Sequence, residues 1–152
     1  MQRFVMLVAV LGLTACLGIG TPPDASNDPS DPATETFAPN LHINIAQMTK
    51  TALGDYYQDL RVGTGLTLGS PQLVVFSYET FLKTGVLVDQ QVGVTQDLNL
   101  VVRGLSDGMI GMQEGGERVI VVPSALAFGP VGRSPIPPNA TIVYDVALEA
   151  VP

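Results

Sequence analysis

Apolar and polar residues alternate from Thr141 to Glu149, placing Ile142, Tyr144, Val146 and Leu148 on one face and Asp145 and Glu149 on the other. A two-residue period marks a β-strand with one buried and one wet face. Leu73 to Glu79 repeats the pattern, with Val74, Phe76 and Tyr78 in phase. Leu98 to Val102 and Val119 to Val122 are short apolar runs bounded by turn residues, which predicts two further strands. The period changes between them. In Gly104 to Met112, Leu105, Met109 and Met112 recur at helical spacing, predicting one short core-facing helix weakened by Gly108 and Gly111. No strand–helix–strand alternation is present, so a parallel sheet is not expected. The predicted fold is α+β, an antiparallel β-sheet of about five strands wrapped around one short α-helix.

The beginning of the chain follows neither period. Met1-Gln2-Arg3 is basic, and Phe4 to Leu13 is a ten-residue apolar run. A spanning helix needs roughly 20 such residues, so the run reads as an export signal. Leu13-Thr14-Ala15-Cys16 follows and resembles the lipobox of bacterial lipoproteins. Small residues before the cysteine suit a membrane-embedded signal peptidase, and the thiolate can take a diacylglycerol group. The expectation is a signal peptide over residues 1–15 and lipidation of Cys16, with several acyl chains where one would bind only marginally. Leu17 after the cysteine, where an aspartate would mark retention at the inner membrane of enteric bacteria, points by analogy to the outer membrane, facing the periplasm. Residues 16–40 are expected to form an acidic, proline-rich linker. Asp24, Asp28, Asp31 and Glu35 have no basic residue among them, which favours a solvated, extended tether. The folded domain is expected over residues 41–152.

Composition narrows the chemistry. A chain of 152 residues suits one domain. Its single cysteine can form neither an internal disulfide nor a cysteine-rich zinc cage. Its single histidine, His42, rules out two-histidine metal motifs and is expected at the surface; the acidic residues are scattered, and neither metal nor cofactor is expected. A formal charge of −7 argues against nucleic acid as a partner. The 16 glycines and 12 prolines suit turn-rich β structure.

Five segments, in order, carry a resemblance. Asp59-Leu60-Arg61-Val62-Gly63-Thr64-Gly65 opens it, and Lys83 to Asp89 parallels a "DGxxFD" motif. Val101 to Met109 parallels "VIxGWxEGL", and Gly115 to Gly129 parallels "GGxRxLxIPxxLAYG". Ile136-Pro137-Pro138-Asn139-Ala140-Thr141-Ile142-Val143-Tyr144-Asp145-Val146 is similar to "IPPNATLVFDVEL". From about Tyr57 to Val151 the chain resembles FKBP-type peptidyl-prolyl cis-trans isomerases. The resemblance implies an apolar cleft between sheet and helix that receives a proline ring. It also implies, as partners, proline-containing unfolded or exported polypeptides, with macrolides as weak ligands. Rotating an amide costs about 18–20 kcal/mol, and Xaa-Pro is the bond whose cis form is accessible. Lowering that barrier needs no nucleophile; desolvating the amide and binding its twisted form suffice.

By the same resemblance Tyr78, Asp89, Leu105, Phe128 and Tyr144 are the candidate catalytic positions, and Val88, Val92, Val101, Val102 and Ile136 line the substrate site. The resemblance further implies that Tyr78 and Asp89 hydrogen-bond to each other and that the Ile136 backbone N–H takes a ligand carbonyl. Val101, Val102 and Ile136 serve equally well as plain core residues. Asp89 follows Val86-Leu87-Val88 and calls for a partner, with Arg103 as one candidate. Four positions depart from the family: Leu105 replaces the tryptophan floor, Val88 and Val92 replace aromatics, and Phe128 lacks the loop tyrosine's hydroxyl. A wider cleft with less grip follows. The expected function is isomerisation of Xaa-Pro bonds in exported proteins; the alternative is a catalytically weak peptide-binding or chaperone module.

Overall fold

The structure is a computed structural model that describes residues 31–152; the signal segment, Cys16 and the linker as far as residue 30 lie outside the described residues. Strands β1 (Thr49–Lys50), β2 (Tyr56–Arg61), β3 (Leu73–Leu82) and β4 (Leu87–Asp97) precede helix α1 (Arg103–Met109). Strands β5 (Glu117–Val122) and β6 (Ile142–Ala150) follow it. All six join one antiparallel sheet in the order β1-β2-β5-β6-β3-β4. The expected α+β architecture is present, with one strand more than the apolar pattern indicated.

Strand β6 lies between β5 and β3, and its alternation is realised: Ile142, Tyr144, Val146 and Leu148 are buried against the helix side. The run Leu98–Val102, expected as a strand, is instead a turn leading into α1. Leu100 N–H donates to the Asp97 carbonyl at 3.0 Å, and Asn99 N–H to the Asp97 side chain at 2.9 Å. Asp97 therefore ends β4 by offering the backbone a local partner in place of a ladder.

The glycines of α1 reverse the argument that they weaken it. A Cβ on Gly104 would collide with Val122, and one on Gly108 with Ile120. Their absence lets the helix lie directly on β5, with Leu105 and Met109 buried in the core. Close packing outweighs the lower helix propensity of glycine.

The opposite face of the sheet is covered by the segment that precedes β1. Phe37, Leu41, Ile43, Ile45 and Met48 pack over Tyr56, Val121 and Val143. Asp31 accepts from Lys50 Nζ at 2.5 Å, from the Tyr56 hydroxyl at 2.8 Å and from Ala33 N–H at 2.9 Å. Glu35 pairs with Lys83 at 2.8 Å and accepts from the Thr141 hydroxyl at 2.6 Å. The expected linker over 16–40 is corrected at its far end: residues 31–40 belong to the folded unit. Asp31 and Glu35 find cations and hydroxyls on the sheet, where composition suggested solvated charges. His42, expected at the surface, is exposed.

Candidate active site

A cleft of about 450 Å³ opens between the inner face of β3, β4 and β6, the start of α1 and the loop that precedes β6. Leu105 lines it, placed there because α1 begins at Arg103 and turns this apolar side chain inward. Val101 and Val102 form one side, Tyr144 and Tyr78 another, and Phe128 with Ile136 comes from the loop. Val88 and Asp89 line the rim from β4.

Thr80, Gln96, Arg133 and Ser134 add polar groups to the lining, and Tyr78 and Asp89 form a hydrogen-bonded pair within it. The Tyr78 hydroxyl donates to Asp89 Oδ2 at 3.0 Å across the β3–β4 ladder. Burial first, then the Asp89 carboxylate, pushes the Tyr78 phenol up to about 12, so it remains a neutral donor. Tyr144 stands edge-on to Tyr78 with ring centroids 6.5 Å apart, and burial raises its phenol too. Phe76 continues the aromatic row at 5.6 Å from Tyr78.

Nine of the ten expected positions line one cavity: Tyr78, Val88, Asp89, Val101, Val102, Leu105, Phe128, Ile136 and Tyr144. Val92 does not. It is 88% exposed, and Val94 occupies the cleft instead. The cause is a bulge in β4. Phe76 pairs with Val94 and Tyr78 with Gln91, so an extra residue lies between them. Gly93 absorbs the bulge with φ +60°, and its N–H donates to Ser77 Oγ at 2.9 Å. The inward phase moves by one residue, and Val92 is turned out to solvent.

One further expectation is corrected. Asp89 takes its hydrogen bond from Tyr78, and no ion pair joins it to Arg103 among the described residues. The Ile136 N–H is engaged within the loop, donating to the Arg133 carbonyl at 2.5 Å while Arg133 N–H returns a bond to the Ile136 carbonyl at 2.9 Å. Arg133 itself, absent from the expected set, lines the cleft, as do Val94 and Leu100. The apolar run from Leu98 contained the signal for Leu100; nothing in the spacing of Gly132-Arg133-Ser134 marked the arginine.

A family profile described as FKBP-type peptidyl-prolyl cis-trans isomerase matches residues 67–149. The chain belongs to this family. All the cleft residues above fall inside the match, while the strap over the outer face and strands β1 and β2 lie before it. An FK506-binding protein 4 of Rhizopus delemar is 35% identical over 108 residues, covering 67% of this chain and 28% of the relative. An FK506-binding protein of Neisseria meningitidis serogroup B is 31% identical over 98 residues, covering 60% of this chain and 90% of the relative. Among solved structures, FkpA from Escherichia coli superposes with a TM-score of 0.64 at 30% identity, over 68% of this chain and 50% of that one. The chain therefore spans less than a third of the Rhizopus protein and half of FkpA. What matches the family is the stretch that holds β3, β4, α1, β5 and nearly all of β6.

Proposed function

We propose that this FKBP-type chain accelerates cis–trans isomerisation of Xaa-Pro bonds in exported polypeptides. The observation that carries the reading is the cavity floored by Leu105, in which apolar walls from Val101, Val102, Phe128 and Ile136 stand beside the hydrogen-bonded Tyr78–Asp89 pair. A planar amide is a strong dipole stabilised by water, and its twisted form is less polar. Moving the bond from water onto Leu105, Val102, Phe128 and Tyr144 therefore favours the twisted form, with no covalent step. The Tyr78–Asp89 bond holds two polar groups to each other, so neither competes for the substrate amide in its ground state. Aliphatic residues at Leu105, Val88 and Val94 leave the cleft wide, which supports modest turnover and weak macrolide binding. They also favour a second reading, a peptide-holding module that binds without useful acceleration.

A refolding assay limited by proline isomerisation separates the two. Acceleration by the protein, reduced roughly tenfold or more by Asp89→Val, is the expected result. Suppressed aggregation with an unchanged refolding rate would leave only the holding module.

The cellular setting is a separate part of the proposal. We infer that Cys16 carries the lipid and that the chain works from the bacterial outer membrane, facing the periplasm. Support comes from the basic start, the short apolar run and Leu13-Thr14-Ala15-Cys16. Asp31 is the first described contact with the sheet, and the segment between it and Cys16 reaches at most about 50 Å when extended.

A further inference from the structure

The hydroxyl groups of the cleft are unevenly placed. Phe128, on the loop, has none to offer, and the Tyr78 hydroxyl is committed to Asp89. Thr80, Ser134 and Tyr144 also line the cleft with hydroxyls uncommitted among the described residues, and of these Tyr144 is the aromatic one, edge-on to Tyr78. It is only 4% exposed, yet its hydroxyl has no hydrogen-bond partner among the described residues. The oxygen is not one of the sealed buried atoms left without a partner, so it opens onto the cleft that Tyr144 lines. The groups whose charge reaches it, Tyr78, Asp89 and Arg133, are themselves cleft residues. A tyrosine hydroxyl this deep normally finds a partner. At the matching place the motif "IPPNATLVFDVEL" has phenylalanine, so the fold has no need of the oxygen.

Resting on the isomerase reading, we propose that the Tyr144 hydroxyl donates a hydrogen bond to the prolyl nitrogen of the bound peptide as its amide twists. In a planar amide the nitrogen lone pair is delocalised into the carbonyl and accepts poorly. Rotation returns that pair to nitrogen, which becomes an acceptor, while the carbonyl oxygen loses charge. A donor at the carbonyl would stabilise the planar form and slow the reaction. A donor beside the ring nitrogen acts only at the barrier. Tyr144 forms a wall of the cleft above Leu105, where the ring is expected, and burial keeps its phenol protonated. No proton is transferred and no bond is broken; the hydroxyl interacts more strongly with the twisted state than with either planar one.

The test is Tyr144→Phe in the full chain, with kcat and KM for a prolyl peptide read by exchange NMR and the fold followed by thermal melting. The expected result is a kcat reduced roughly three- to tenfold, the worth of one neutral hydrogen bond. KM should change little and Tm should not fall, because the lost oxygen has no protein partner. Unchanged kcat, a loss confined to KM, or a fall in Tm that accounts for the lost activity would each overturn the assignment. A wild-type chain that gives no acceleration would defeat the isomerase reading itself. An active wild type matched by an equally active variant would defeat this assignment alone.

Discussion

Leu105 is buried at the bottom of a cleft with room to spare, and the consequences begin there. Replacing it with tryptophan adds aromatic area facing the substrate ring. Leu105→Trp should tighten macrolide binding by about 1–2 kcal/mol, roughly tenfold, readable by calorimetric titration. Unaltered affinity would mean that Leu105 is not the floor. Single residues were legible in the sequence where a motif surrounded them, as with Leu105, Phe128 and Tyr144. Val92 was misplaced because the resemblance was carried along β4 across a bulge that only Gly93 marks, and glycine has many other uses. The engagement of the Ile136 N–H was hidden for a different reason. Backbone bonds inside an irregular loop leave no periodic trace in side-chain type.

Among the elements, α1 is held by contacts that its composition disguised. Gly108→Ala would drive a methyl into Ile120 and within 3.1 Å of Asp55 Oδ2. It should cost about 1–3 kcal/mol in urea denaturation despite alanine's better helix propensity. The same contact makes the helix sensitive to pH. Asp55 is fully buried, accepts from the Thr51 hydroxyl at 2.6 Å through one oxygen, and has no partner for the other among the described residues. Burial first, and then Asp107 of α1, pushes the Asp55 carboxyl up to about 6. A carboxyl raised above its unfolded value contributes stability in full below the unfolded pKa, and that contribution fades as pH rises through the folded one. The protein should accordingly be more stable at pH 5 than at pH 7.5, by on the order of 1–3 kcal/mol. Asp55→Asn should flatten that dependence in denaturation curves across the range, and an unchanged slope would remove Asp55 as its source. Strands β3, β5 and β6 were readable because each buries one face continuously. Most of β4 is exposed and β2 buries little beyond Tyr56, so neither shows the alternation that announces a strand.

On the scale of the whole molecule, the boundary between tether and domain was the least legible feature. Residues 31–40 have the composition of a spacer, and their attachment depends on partners far away in sequence, Lys50, Tyr56, Lys83 and Thr141. Composition measures solubility, not complementarity to a surface formed elsewhere in the chain. The proposed anchor is checked by labelling: Cys16→Ser should abolish incorporation of radiolabelled palmitate and move the protein from the detergent to the aqueous phase. Labelling that persists in the variant would place the lipid elsewhere or rule it out.

The Asp31 clasp has a mechanical meaning. Any pull transmitted through residues ahead of Asp31 enters the domain at the β1–β2 edge, where an ion pair and a phenol hold the chain. Tyr78 and Asp89 lie on β3 and β4 at the other edge of the same sheet, with β5 and β6 between. The Asp31 clasp and the Tyr78–Asp89 pair are thereby separated by the width of the sheet, and a pull meets the clasp before it meets the Glu35–Lys83 pair beside β3.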